Sequence, residues 1–207
     1  MTARLPLLTL FTVLMSATSV RAADALPQIP SSPQLQKCLQ RADDMPDIAA
    51  AEAVVWIKKG GGNDAHLCRA FAQANRGMHA DAAREFWALG STYDKPAPGR
   101  AISMHNLSGQ EFLRAKDIKN AEAQYSLALK ISNSNVPALI GRAQTRMEVD
   151  RYWDALDDLN RAAKIAPDDA DIFRQRGRAW AQLGNQKNAQ EDFEKAEALV
   201  PLPPAKP

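Results

Sequence analysis

Cys38 and Cys68 have the widest chemical reach in this chain, and they are its only two cysteines. Two thiols can bond to each other, stay buried as free thiols, or work as a redox pair. They lack the Cys-x-x-Cys spacing of a disulfide oxidoreductase, so the redox reading is the weakest of the three. His66, His79 and His105 offer imidazoles, but no two stand at a metal-ligand spacing, and a zinc site needs three or four ligands. His79 falls at an inter-helix turn and reads as solvated. Gly60-Gly61-Gly62 is rich in glycine, yet no Lys-Ser/Thr follows it and no strand precedes it. It therefore reads as a helix stop, not a phosphate loop. Asp154, Asp157, Asp158, Glu191, Asp192 and Glu194 recur at helical spacing and read as solvated outer faces, with Arg161 and Lys195 one turn away. No nucleophile stands with a base and its orienting partner. The sequence leads us to expect no catalytic residue, no cofactor and no metal.

The elements that must position these side chains repeat at a spacing of 34 residues. Ala155 recurs as Ala189, Leu159 as Phe193, Ala162 as Ala196 and Pro167 as Pro201. One step back, the same frame lands on Ala121, Tyr125 and Ala128. Ala82, Phe86 and Leu89 fit it at an offset of 39. The extra residues fall in Tyr93 to Gly99, a turn-rich stretch where a longer loop costs little. Two antiparallel helices approach closely only where small side chains face each other, which accounts for Gly109, Ala143 and Gly177. Large residues then fill the remaining space, as Phe112, Trp180, Tyr125 and Phe193 do. Each helix pair buries one face alone, so neighbouring pairs must stack. Before this array, Gln34 to Ala42 predicts a helix with Leu35, Cys38 and Leu39 on one face. A second helix starts at Pro46, carries Ile48, Ala49, Val54, Val55 and Trp56, and ends at Lys59.

Met1 to Arg4 is a short positive start, and Leu5 to Met15 is mostly apolar. Val20 and Ala22 place small residues three and one before a cut after Ala22, the pattern of a secretory signal peptide. The apolar run is too short to span a bilayer. With Arg4 and Arg21 removed, 24 basic side chains face 24 acidic ones. That balance argues against a nucleic-acid footprint. We expect an exported, periplasmic protein with no membrane span. An even cysteine count in such a chain implies a disulfide, which would contribute roughly 3 to 4 kcal/mol through its loop.

A period of 34 residues with this alternation of small and large side chains resembles the tetratricopeptide repeat (TPR) family. The likeness covers about two-thirds of the chain well. It is most specific where Asp150-Arg151-Tyr152 and Gly184-Asn185-Gln186 make the turns and Pro167 and Pro201 close the units. Arg146 departs from it, standing where the family prefers an aromatic. The resemblance implies an all-α solenoid of antiparallel helix pairs wound as a right-handed superhelix, in preference to a HEAT-like array or an ordinary bundle. Its parts are a signal peptide at 1–22, a linker at 23–33, a helical cap at 34–62, and a degenerate repeat at 63–94. Repeats follow at 101–134, 135–168 and 169–202, with a frayed tail at 203–207. Cys38, Trp56, the glycine run and Cys68 ahead of the array resemble small exported bacterial TPR proteins with a stapled cap. At the far end, Gln190 and Glu197 replace Leu156 and Ala163, as suits a terminal repeat facing water.

The family's frame further implies a concave groove lined by first helices. It would present Asn106, Gln110 and Arg114, then Ile140, Gln144 and Met147, then Arg174 and Arg178. Amides here would hold an extended peptide, and an arginine would pair with an acidic group. The lysine and asparagine set of the family's carboxylate clamp is not present. Arg174 and Arg178, one turn apart, are the foremost candidates, although any single residue also fits an ordinary solvated face. The expected function is capture of a protein or peptide partner. The alternative is a structural subunit of a cell-envelope assembly working through its convex or terminal surfaces, with thiol redox chemistry as a lesser rival. The sequence leaves the oligomeric state open.

Overall fold

The computed structural model describes residues 32–200. The signal peptide, most of the linker, Pro201 and the tail lie outside the described residues. The described chain forms ten helices in order: α1 (Pro33–Asp44), α2 (Pro46–Lys58), α3 (Gly62–Asn75), α4 (His79–Tyr93), α5 (Pro98–Arg114), α6 (Ile118–Ile131), α7 (Val136–Met147), α8 (Tyr152–Ile165), α9 (Ala170–Gln182) and α10 (Gln186–Leu199). There is no strand among the described residues.

The turns explain why the pairs repeat. Four residues in equivalent places take the left-handed conformation: Gly77 (φ 75°), Lys116 (φ 60°), Asp150 (φ 58°) and Gly184 (φ 76°). After each, one amide reaches back to the end of the first helix. Met78 N–H donates to Gln73 C=O at 2.9 Å, Asp117 to Phe112 at 2.9 Å, Arg151 to Arg146 at 3.0 Å and Asn185 to Trp180 at 3.0 Å. This is the Schellman bond that closes a helix on a left-handed residue. Side chains then start several of the helices. Asp117 accepts from Asn120 N–H at 3.2 Å, Asn135 from Ala138 at 3.0 Å and Asn185 from Asn188 at 3.2 Å.

The small-against-large interlock is present in atomic detail. Tyr125 lies between two glycines. A Cβ on Gly109 would come within 2.9 Å of its ring, and one on Gly141, in the next pair, would overlap it. Phe193 lies on Gly177 in the same way, at 2.7 Å. Ala82, Ala121, Ala155 and Ala189, the equivalent alanines of the second helices, are all buried.

Two details go beyond the sequence reading. Within Tyr93 to Gly99 the turn is confined to residues 94–97, because α4 runs to Tyr93 and α5 begins at Pro98. Pro98 suits the first turn of a helix, where its missing N–H costs nothing. The extra residues therefore lengthen α5 at its start. In α2, the buried face is Ala49, Ala50 and Ala53, while Ile48, Val54 and Val55 point outward. Close approach to α3 selects the small side of the helix. Cys38 on α1 and Cys68 on α3 form a disulfide with Cα atoms 5.9 Å apart, well within the usual span. At the other end Leu156 is buried, whereas Gln190 and Glu197 face solvent. No helix among the described residues is long and apolar enough to cross a membrane.

Candidate functional site

The first helices α5, α7 and α9 pack directly on one another from pair to pair, as do α1 and α3. Side chains on their free faces therefore share one groove. At its C-terminal end lies a cleft of about 430 Å³ lined by Leu113, Gln144, Met147, Glu148, Tyr152, Gln175, Arg178 and Gln182.

The structure brings together three of the expected groove residues here: Gln144, Met147 and Arg178. The frame could have found three more. Leu113 is Met147 stepped back by one unit, and Glu148 and Gln182 are Arg114 stepped forward by one and two. Arg178 makes a single long hydrogen bond, to Gln175 Oε1 at 3.5 Å, and no ion pair among the described residues. Glu148 is held by Lys116 Nζ at 2.8 Å, which leaves Arg178 as the cleft's unpaired cation. Three amides, a thioether and a leucine surround it. Such a lining can donate to and accept from a peptide backbone and pair with one carboxylate.

The remaining candidates are not in the cleft. Asn106 Nδ2 donates to Asn135 Oδ1 at 2.9 Å and so ties α5 to the cap of α7. Arg114 pairs with the buried Glu111 at 2.7 Å. Arg174 pairs with Asp171, one turn earlier, at 2.9 Å. Gln110 is exposed, and Ile140 is half-buried against the core. The two foremost arginines therefore separate, with Arg178 available and Arg174 neutralised.

The acids of the second helices do not all face water. Asp158 and Asp192 are buried. Arg142 donates to Asp158 at 2.7 and 2.8 Å, and Arg176 to Asp192 at 2.6 and 2.8 Å. Each pair joins positions 16 apart, and Arg69 with Glu85 forms a third at the same separation. The Arg142 and Arg176 pairs are bidentate, Arg69 meets both Glu85 oxygens through Nη2, and all three fasten the first helix of a unit to its second. In the α5–α6 unit both partners change together, to Ser108 and Gln124, so no buried charge is left alone. Hydrogen bonding to Asp158 holds the Arg142 guanidinium above its ordinary pKa. Arg146 occupies the aromatic position by a polar route. Its half-buried guanidinium donates to Glu122 and Asp158, both at 2.8 Å, and to the Asp154 carbonyl at 3.0 Å. Burial would raise the Glu122 carboxyl, but hydrogen bonds from Arg146 and Arg151 outweigh it and hold the group below the ordinary carboxylate range.

His79 is not simply solvated, since its Nδ1 lies 2.7 Å from Glu111 Oε2. His66 Nδ1 hydrogen-bonds Glu85, and His105 is buried. Among the described residues, no group of three or more His, Cys, Asp or Glu is placed to hold a metal ion.

No family model and no curated protein matches the sequence. Solved structures of MamA do match the fold. A MamA fragment from Desulfovibrio magneticus RS-1 superposes with a TM-score of 0.68 at 17% identity, covering 80% of this chain and 90% of its own. A second, MamA MSR-1, gives 0.61 at 16% identity over 79% of this chain and 92% of its own. The fold is a TPR-type α-solenoid. Likeness at such identities is a likeness of architecture, and the cleft residues of this TPR solenoid must be argued from their own chemistry.

Proposed function

We propose that this protein is an exported, non-catalytic TPR scaffold that holds an extended polypeptide in its inner groove. Arg178 anchors an acidic side chain or chain terminus of the partner, while Gln144, Gln175 and Gln182 bond its backbone. The observation that carries this reading is Arg178 itself. It is an exposed guanidinium in the cleft with no ion pair among the described residues, in a molecule where exposed arginines such as Arg84 and Arg151, like the half-buried ones, meet carboxylates. Export is supported by the Cys38–Cys68 bond, since such bonds persist in oxidising compartments.

The test compares Arg178→Glu with Arg174→Glu. Wild-type and variant proteins are immobilised under oxidising conditions, envelope extract is passed over them, and the captured partner is identified and titrated. Arg178→Glu is expected to weaken capture at least about tenfold, the size of a lost charge-assisted hydrogen bond. Arg174→Glu is expected to change it little. Equal capture by all three proteins would shift the function to the convex or terminal surfaces.

A further inference from the structure

A second cavity, of about 390 Å³, lies away from the groove and is lined by Ser91, Asp94, His105, Leu127, Lys130 and Ile131. We propose that it binds a small zwitterion with an apolar body, in the class of free amino acids and dipeptides.

Comparing the junctions between units shows why this one is a site. His105 and Gly90 face each other across α5 and α4. The equivalent positions carry Leu139 and Leu129 at the next junction, then Phe173 and Ala163. Hydrocarbon closes those two junctions, whereas an imidazole that is only 3% exposed stands here. Gly90 is what admits it, since a Cβ there would come within 2.9 Å of the ring. Burying a polar ring in place of leucine costs free energy unless its nitrogens are bonded. His105 Nδ1–H donates to Gln124 Oε1 at 2.8 Å. The proton is thereby placed on Nδ1, and Nε2 is left as an acceptor with no partner among the described residues.

Charge completes the site. Asp94 and Lys130 line the same cavity with opposite signs, and neither is in an ion pair among the described residues. Asp94 belongs to the extra residues that break the period. A ligand bearing both charges satisfies both side chains at once. Its carboxylate meets the Lys130 ammonium, its ammonium meets Asp94 and His105 Nε2, and its apolar body lies on Leu127 and Ile131. Ser91 Oγ–H donates to the Trp87 carbonyl at 3.1 Å, so what this cavity-lining hydroxyl has to offer a ligand is an acceptor.

The experiment is calorimetric titration of the full chain with L-leucine and with leucyl-leucine, using acetate and butylammonium as single-charge controls. Saturable binding of a zwitterion is expected, with both controls about tenfold weaker, the size of one lost charge-assisted contact. Lys130→Gln and Asp94→Asn, both at exposed positions, should each weaken binding about tenfold by the same reasoning. His105→Leu restores the residue type of the next junction, so it should abolish binding while the melting temperature holds or rises. Three results would each overturn the proposal: no heat with either zwitterion, acetate binding as tightly as leucine, or undiminished binding in His105→Leu. If that variant fails to fold, the two surface variants decide.

Discussion

Between Pro33 and Tyr93 the helices are joined by a covalent bond, Cys38–Cys68, by one left-handed turn at Gly77, and by side-chain pairs such as Arg41–Glu52 and the more buried Arg69–Glu85. Between Pro98 and Leu199 they are joined by repeated devices: a ring against glycine, a left-handed turn, and the buried pairs Arg142–Asp158 and Arg176–Asp192. The first region repeats poorly, and among the described residues its first unit has a neighbour on one side only. A cross-link there compensates for the missing neighbour by restricting the unfolded chain. The second region keeps its period, so each unit is braced from both sides except the last, whose outer residues are polar.

Substitutions in the two regions should differ in cost, each read as a change in urea unfolding. Asp158→Ala should have the largest effect, a loss of about 3 to 5 kcal/mol, because it strands two partly buried guanidinium groups. Arg142→Ser combined with Asp158→Gln copies Ser108 and Gln124 and should cost less than the single change. A double change as costly as the single would refute the idea that these positions act as a pair. Reduction of Cys38–Cys68, or Cys38→Ala with Cys68→Ala, should cost roughly 3 to 4 kcal/mol. Hydrogen-exchange protection should then fall in α1 to α3 before it falls in α7 to α10.

Gly141→Ala drives a methyl into the Tyr125 ring and should cost about 1 to 3 kcal/mol, with the damage spread over both adjoining units. Lys116→Gly should stabilise by about 0.5 to 1 kcal/mol, since it relieves a left-handed non-glycine residue in the regular region. Glu122 supplies the smallest signal. Its folded pKa lies below its unfolded value, so its contribution is present above about pH 4.3 and is lost as pH falls through the folded value. Glu122→Gln should flatten that acid limb; an unchanged limb would remove Glu122 from the account.

The solenoid was legible because its causes are local or strictly periodic. Ala121, Ala155 and Ala189 mark the close approaches, Gly77 and Gly184 mark the turns, and Gln190 and Glu197 mark the open end. The pairs Arg69–Glu85, Arg142–Asp158 and Arg176–Asp192 were also within reach. They share one separation and one frame, but a charge on a helix looks the same whether water or a guanidinium faces it. Arg174 and Arg178 show the limit for the groove. Both are arginines on one face, yet the acid at Asp171 takes the first, while the second makes one long hydrogen bond to Gln175 and no ion pair among the described residues.

Helix type, pairing and stacking order thus follow from the sequence alone, because the energies that set them act between neighbours along the chain or between copies of one pattern. Which charges stay unpaired, how α4 and α5 absorb the extra residues, and that His105 is buried beside Gly90 were decided only in three dimensions. Those outcomes depend on contacts between distant segments, and no period carries that information.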